Sequence, residues 1–476
     1  MSPEEFRRHG HAAIDWIADY WQQMADLPVR SQVQPGDIAG RLPAAPPRAG
    51  EPFETILDDL RDVVLPGITH WQHPRFFAYF PANSSPAAVL GDLISSGIGA
   101  QGMLWSTSPA VTEIEQRVTD WLADALGLGA WCRNLPPGDA TGGGVIQDTA
   151  STATMTALLA AIHRASAGTA RRTGLHDGRQ YAVYASSEAH SSVLKAAMMT
   201  GVGADNTRQI AVHEATGQMD VDALAAALER DVAAGIVPAM VVSAVGTTAT
   251  CAIDPTRRIG ALAARYGAWL HVDAAFAGSA AVCPEHRDLL DGIDEYADSM
   301  VTNPHKWLLT TFDCSVLWVR DRAAVTDALS VMPEYLRNAA SSSGAVTDYR
   351  DWHPQLGRRF RAMKLWTVLR TYGIDGLQQH IRSGVAMARR LEELVAADDR
   401  FELVLPRSLS LVCFGLKDAG RTEALMGEVN SSGVAYLTHT RLDGRFVIRA
   451  SIGGVWTTPQ DIEDTWRAFQ AAADRR

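Results

Sequence analysis

The residue with the clearest chemical potential is Lys306, in Asn303-Pro304-His305-Lys306-Trp307, just past the apolar run Ser299 to Thr302 and ahead of a second apolar run. A lysine in such a setting can hold an aldehyde as a Schiff base. A lysine by itself is more often a solvated surface charge, so its partners decide the reading. Asp273 closes the run Trp-Leu-His-Val-Asp (269–273). There it can hold a proton on a ring nitrogen, although a strand-end aspartate often only caps a helix. His190 follows the run Tyr181–Ala185 and can stack on a flat ring. Gly142-Gly-Gly-Val-Ile-Gln-Asp-Thr-Ala-Ser151 leads into a helical stretch, Thr152 to Ala165. Backbone N–H groups at such a start are free to take an anion, here at Ala150 and Ser151 with help from His305 and Asn303. An imine lysine, a carboxylate for a ring nitrogen, a stacking group and a phosphate cradle are what pyridoxal phosphate (PLP) requires of a protein.

These residues need a frame that brings them to one edge. Short apolar runs at Tyr181–Ala185, Met240–Val245, Trp269–Val272, Met300–Thr302 and Val316–Val319 alternate with helical patterns at Ser191–Thr200, Val221–Ala234 and Pro255–Tyr266. Continuous apolar strands alternating with helices predict a mostly parallel α/β sheet. Ligands of such sheets sit at the carboxyl ends of the strands. His190, Thr247, Thr248, Asp273, His305 and Lys306 all fall at those ends.

Ser2-Pro3-Glu4-Glu5 reads as a helix start with a capping box. Residues 28–52 are rich in proline and glycine and read as a connector, with a second helix over Phe53 to Val64. This N-terminal part has little core of its own and is expected to clamp onto a partner or onto the main domain. Trp71, Phe76, Phe77, Tyr79 and Phe80 form an aromatic-dense stretch, either a buried hinge or one wall of an apolar pocket. Amphipathic helices are expected at Pro86–Ser96 and Thr112–Leu126, with Glu113 and Glu115 in the first turn of the second, where carboxylates suit the helix dipole. Residues 330–353 read as a mobile loop. A long helix follows Gly357, and strand-like runs at Ser410–Leu416 and Phe446–Ser451 suggest a smaller α+β domain. The expected division is 1–82, an N-terminal helical clamp; 83–358, a large α/β domain; and 359–476, a small α+β domain.

A net charge of −11 argues against a nucleic-acid partner. Five scattered cysteines without a C-x-x-C pair argue against a disulfide framework or a structural metal site. No apolar stretch of about 18 residues predicts a membrane span, and the first residues lack a signal-peptide core. A cytoplasmic protein is the expectation.

Ala-Tyr-Phe-Pro (78–81), Gly-Gly-Gly-Val-Ile-Gln (142–147), Ala-His-Ser-Ser (189–192), His-Val-Asp-Ala-Ala-Phe-Ala-Gly-Ser (271–279), Asn-Pro-His-Lys-Trp (303–307), Phe-Asp-Cys-Ser (312–315) and Leu-Gly-Arg-Arg-Phe-Arg (356–361) together resemble the group II PLP-dependent decarboxylases. Within them, the resemblance is to the aromatic L-amino-acid decarboxylases, along nearly the whole chain. It implies the aspartate-aminotransferase-like fold (PLP fold type I) and a homodimer with sites at the subunit interface. It implies that Lys306 binds the cofactor, Asp273 keeps the ring nitrogen protonated, His190 stacks, and Thr248 sits beside the cofactor. Tyr335 matches the family's proton donor. Relatives with phenylalanine there tend toward aldehyde formation, and some aldehyde-forming relatives lack the histidine, so Tyr335 and His190 both point to simple decarboxylation. Trp71, Tyr79 and Phe80 resemble the family's aromatic pocket, with Met103 contributed across the dimer. Ala82 stands where animal DOPA enzymes carry threonine, Gln101 and Met103 replace more apolar or aromatic residues, and Gly357 goes with indole substrates in plant relatives. Tryptophan, 5-hydroxytryptophan, phenylalanine, tyrosine and DOPA all stay open as substrates. The alternatives are an aromatic aldehyde synthase or a decarboxylase of a non-aromatic amino acid on the same scaffold.

Overall fold

The computed structural model describes residues 1–135, 141–331 and 346–475. The chain divides into two compact units, Ala82–Val385 and Met1–Pro81 with Ala386–Arg476. This grouping differs from the division into 1–82, 83–358 and 359–476. The boundary at 385/386 falls inside the helical stretch Ala362–Ala396, which is interrupted at Gly373 (φ +63°). The first segment joins the C-terminal one for want of a core of its own. The helix Pro3–Gln23 buries none of its residues, while Phe77 belongs to the C-terminal hydrophobic cluster with Phe414, Ile448 and Trp466.

In Ala82–Val385 the described residues form a seven-stranded sheet of β1 (Gly143–Gln147), β2 (Tyr181–Ser186), β3 (Thr207–Ile210), β4 (Val237–Ala244), β5 (Trp269–Asp273), β6 (Ser299–Thr302) and β7 (Ser315–Val319), in spatial order β1-β7-β6-β5-β4-β2-β3. Strands β3, β2, β4, β5 and β6 run parallel. β7 is antiparallel to both β6 and β1, so β1 ends at the same edge as the parallel strands. Apart from the edge strand β3 (Thr-Arg-Gln-Ile), these strands are buried on both faces, as a sheet covered on both sides requires. Ala153, Ala157, Ala160 and Ala161 of the helix Ala150–Ala165 are buried in the same cluster as Val145, Val183, Val242 and Leu317. Alanines at that spacing let the helix lie close to the sheet.

Of the glycine triplet, Gly143 and Gly144 open strand β1 and Gly142 immediately precedes it. A Cβ at Gly144 would lie 2.8 Å from the Trp318 ring, and one at Gly142 would lie 1.7 Å from the Trp131 carbonyl. Close packing explains these glycines, and the helix they were expected to lead starts three residues beyond the strand.

The carboxylates expected in a first helical turn also need correction. The helix begins at Pro109, so its first turn holds no acidic residue. Glu115 is instead fully buried and pairs with Arg358 at 2.5 Å. It also accepts the Ile146 N–H at 2.8 Å. Arg358 donates in addition to the carbonyls of Ile146 (3.0 Å) and Gly102 (3.3 Å) and lies over the Tyr349 ring. The described end of the expected mobile loop is likewise packed: Tyr349, Arg350 and Trp352 are buried, and the Tyr349 hydroxyl donates to the Gly144 carbonyl at 2.9 Å.

In the other unit, β8 (Phe401–Leu403), β9 (Leu411–Leu416), β10 (Thr438–Leu442) and β11 (Arg445–Ser451) form an antiparallel sheet in order β10-β11-β9-β8. The capping box at the N-terminus is present: Ser2 Oγ accepts the Glu5 N–H, and the Glu5 carboxylate accepts from Ser2 N. No helix among the described residues is long and apolar enough to cross a membrane.

Candidate active site

Because β2, β4, β5 and β6 are consecutive parallel neighbours, the segments leaving their carboxyl ends converge. β5 ends in Asp273, whose register partners are Ala244 of β4 and Val301 of β6. β6 leads through Asn303 into the single turn Pro304–Trp307, which carries Lys306. Burial lowers the Lys306 pKa, while Asp273 and the Cys251 thiol raise it. His190, in the turn after β2, is exposed. Its pKa is lowered by burial first, raised by Asp273 and lowered again by Lys306. Lys306, Asp273 and His190 therefore lie within electrostatic reach of one another. Asp273 itself is held by accepting the Ala275 N–H at 3.1 Å, and His190 Nδ1 accepts the Ser192 N–H at 3.1 Å.

His305 and Asn303, on the same turn, are buried. His305 is 4% exposed, its Nδ1 accepts the Cys314 N–H at 3.0 Å, and burial, with Lys306 adjacent, pushes its pKa down to about 3. It is a neutral imidazole whose remaining proton is on Nε2. Asn303 is 3% exposed and takes a hydrogen bond from Ser315 on its side-chain oxygen. Thr248 lies at the exposed tip of the turn after β4. That turn is closed by Thr247, whose carbonyl accepts from Cys251 N (2.9 Å) and whose hydroxyl accepts from Ala252 N (3.0 Å).

β1 brings the helix Ala150–Ala165 to the same edge. Thr149 caps it through Thr152 N, and the first-turn amides of Ala150 and Ser151 have no intrahelical acceptor. A desolvated amine, a carboxylate, an exposed imidazole and a helix N-terminus thus share one edge of one sheet. This donor set fits a phosphorylated pyridine aldehyde.

The expected ring-contacting residues are placed separately. In the unit containing Met1–Pro81, Trp71 and Tyr79 are stacked, with centroids 5.4 Å apart. Tyr79 has φ +55°, and its N–H donates to the Thr438 hydroxyl at 3.1 Å. Phe80 lies under the Arg449 guanidinium at 5.5 Å. In the larger unit Ala82 is half-buried, and the Met103 carbonyl accepts the Arg350 N–H at 3.1 Å. Gly357 lines a polar cavity of about 60 Å³ with Gln147, Asp148, His353, Gln355 and Arg361. A Cβ there would stand 3.8 Å from the Gln101 amide. Tyr335 lies outside the described residues. Two neighbours of Lys306 had escaped the sequence reading. Cys251 has no motif to betray it. Asn83, in Pro-Ala-Asn-Ser-Ser-Pro, reads as an ordinary helix lead-in.

Comparison with known proteins agrees with this geometry. The family model described as the pyridoxal-dependent decarboxylase conserved domain matches residues 35–417. The phenylacetaldehyde synthase of Arabidopsis thaliana is 43% identical over 485 residues, covering 99% of this chain and 96% of its own. Tyrosine decarboxylase 2 of Narcissus pseudonarcissus is 43% identical, covering 99% and 95%. The crystal structure of Oryza sativa TDC with PLP and tryptamine superposes with a TM-score of 0.95 at 42% identity, covering 100% of this chain and 99% of that one.

Proposed function

The chain belongs to the pyridoxal-dependent decarboxylases, and from that premise we propose that it converts an aromatic L-amino acid to its amine and carbon dioxide. The observation that carries this reading is the desolvated Lys306 amine at the sheet edge, within electrostatic reach of Asp273 and His190. PLP, when bound, supplies an electron sink for the bond between Cα and the carboxylate.

The side chains supply the rest. Lys306 retains the cofactor covalently, and desolvation favours its neutral, nucleophilic form. Asp273 holds a proton on the ring nitrogen. His190 offers a flat face to the ring, and Thr248 flanks it. Ala150 and Ser151 present their amides to the phosphate, with His305 Nε2–H and Asn303 beside them. Tyr335 returns a proton to Cα. Trp71, Tyr79, Phe80, Ala82, Met103 and Gly357 are assigned to the substrate ring. Apolar surface there favours an aromatic side chain and penalises a carboxylate without a cation.

The active form is proposed to be a homodimer, with sites completed across the interface. Leu90, Leu93, Ile94 and Ile98, on one side of the helix Pro86–Ile98, are between 46 and 58% exposed. An apolar row of that kind supports association. Five buried free cysteines support a reducing, cytoplasmic setting.

A second reading is oxidative deamination to an arylacetaldehyde, because an aldehyde synthase is as similar to the chain as the tyrosine decarboxylase is. Assaying amine, carbon dioxide, ammonia and peroxide together across tryptophan, 5-hydroxytryptophan, phenylalanine, tyrosine and DOPA separates the two. Amine without peroxide is expected; stoichiometric peroxide and ammonia would establish the second reading.

A further inference from the structure

The turn that carries Lys306 is too short to hold itself. Pro304–Trp307 is one helical turn, closed by Lys306 N donating to the Asn303 carbonyl (2.9 Å) and Leu308 N donating to the Pro304 carbonyl (3.0 Å). The next two carbonyls, those of His305 and Lys306, would be satisfied in a longer helix by amides further along the chain. Here a single residue more than two hundred positions away takes both. Asn83 donates its backbone N–H to the His305 carbonyl at 3.1 Å and its side-chain Nδ2 to the Lys306 carbonyl at 2.7 Å. Asn83 is 1% exposed, so water does not substitute for it. Two residues on, the Ser85 hydroxyl donates to the Leu309 carbonyl at 2.6 Å while accepting the Ala88 N–H at 3.3 Å. The clasp is thereby anchored to the helix Pro86–Ile98.

We propose that Asn83 is a positioning residue for Lys306. Its paired bonds to consecutive carbonyls fix the rotation of the peptide planes on both sides of the Lys306 Cα, and so the direction in which the amine leaves the backbone toward Asp273. Cutting the side-chain bond strands a buried carbonyl, which relaxes by turning the peptide. The Lys306 nitrogen moves with it, and its electrostatic coupling to Asp273 changes. Ser85 acts on a carbonyl three residues beyond the lysine, so its loss loosens the clasp without turning the peptides that flank Lys306.

The proposal rests on the assignment of Lys306 as the cofactor lysine. The test compares wild type, Asn83→Ala, the similarly shaped Asn83→Asp, which replaces the donor by an acceptor, and Ser85→Ala. Each PLP-loaded protein is titrated for the pH midpoint of its visible cofactor absorbance. The PLP release rate on dilution, the thermal midpoint and hydrogen exchange of the 300–312 peptide are also measured. Both Asn83 variants are expected to shift the absorbance midpoint by about half a unit or more, and to release PLP roughly tenfold faster or more, as loss of a buried hydrogen bond implies. Exchange in the 300–312 peptide should rise. Ser85→Ala is expected to lower the thermal midpoint with the absorbance midpoint unchanged. If Asn83→Ala does not fold, Asn83→Asp carries the same comparison. Asn83 variants that lose thermal stability but keep the wild-type absorbance midpoint and release rate would overturn the proposal and leave only a packing role. Absence of a visible cofactor band from PLP-treated wild type would instead overturn the assignment of Lys306.

Discussion

An amine forms an imine only while unprotonated, so the protein must work against the ordinary lysine pKa. Burial does this at Lys306, and Asp273 opposes it. The same carboxylate is the one proposed to serve the ring nitrogen, which would set a compromise between the two tasks. Asp273→Asn is predicted to lower kcat by roughly 10²- to 10³-fold, the usual effect of removing a preorganised electrostatic group, while PLP still binds through Lys306. A variant within threefold of wild-type kcat would remove Asp273 from the chemistry. Burial also depresses the pKa of six histidines, His305 and His353 to about 3, His73 and His271 to about 4, and His70 and His190 in the same direction. Their folded values lie below the unfolded value near 6.5. On acidification the unfolded chain therefore takes up protons first, and stability falls as pH drops from about 6.5 toward 4. Each of the first four contributes up to about 1.4 kcal/mol per pH unit in that window. Asp254, raised to about 6 by burial, and Asp120 and Asp351, raised in the same way, oppose the trend but are outnumbered by the histidines. Urea midpoints measured at pH 7.5, 6 and 5 should decrease steadily, and a midpoint that is constant or rises would contradict the assignment of neutral, buried imidazoles.

At the level of elements, the ion pair Arg358–Glu115 joins the helix Pro109–Leu126, strand β1 and the segment after Trp352. Both partners are almost fully buried, with side-chain exposures of 2% and 0%. Removing either one leaves an uncompensated charge. Arg358→Ala is predicted to cost about 3–5 kcal/mol of stability, read as a lower denaturant midpoint, and a change below about 1 kcal/mol would mean that the pair is dispensable. This pair also marks where the sequence was hard to read. The parallel strands were legible because fully buried strands are continuous apolar runs, and the polar residues just beyond them placed Asp273, His190 and Lys306 at one edge. Glu115 was misread as a dipole-compensating surface charge because its partner is more than two hundred residues away, and spacing reports only local neighbours. Strand β1 was hidden by its glycines, Gly143 and Gly144, where a Cβ would crowd Asn134, Trp352 and Trp318. Asn83 escaped for the same reason as Glu115: its bonds are to backbone atoms of a distant turn.

On the scale of the whole molecule, the apolar row Leu90, Leu93, Ile94 and Ile98 implies a covering surface. A charge in that row is costly to bury without a partner. Ile94→Asp is predicted to shift the protein toward monomer in sedimentation and to reduce activity in parallel, since the proposed sites need both subunits. Full activity in a monomeric variant would contradict interfacial sites. The central claim concerns chemistry at Lys306, and the most direct measurement is product stoichiometry. The PLP-loaded protein should convert an aromatic L-amino acid to equimolar amine and carbon dioxide without peroxide, and Lys306→Ala should abolish this turnover. Stoichiometric peroxide and ammonia from wild type, or undiminished amine release from Lys306→Ala, would contradict it.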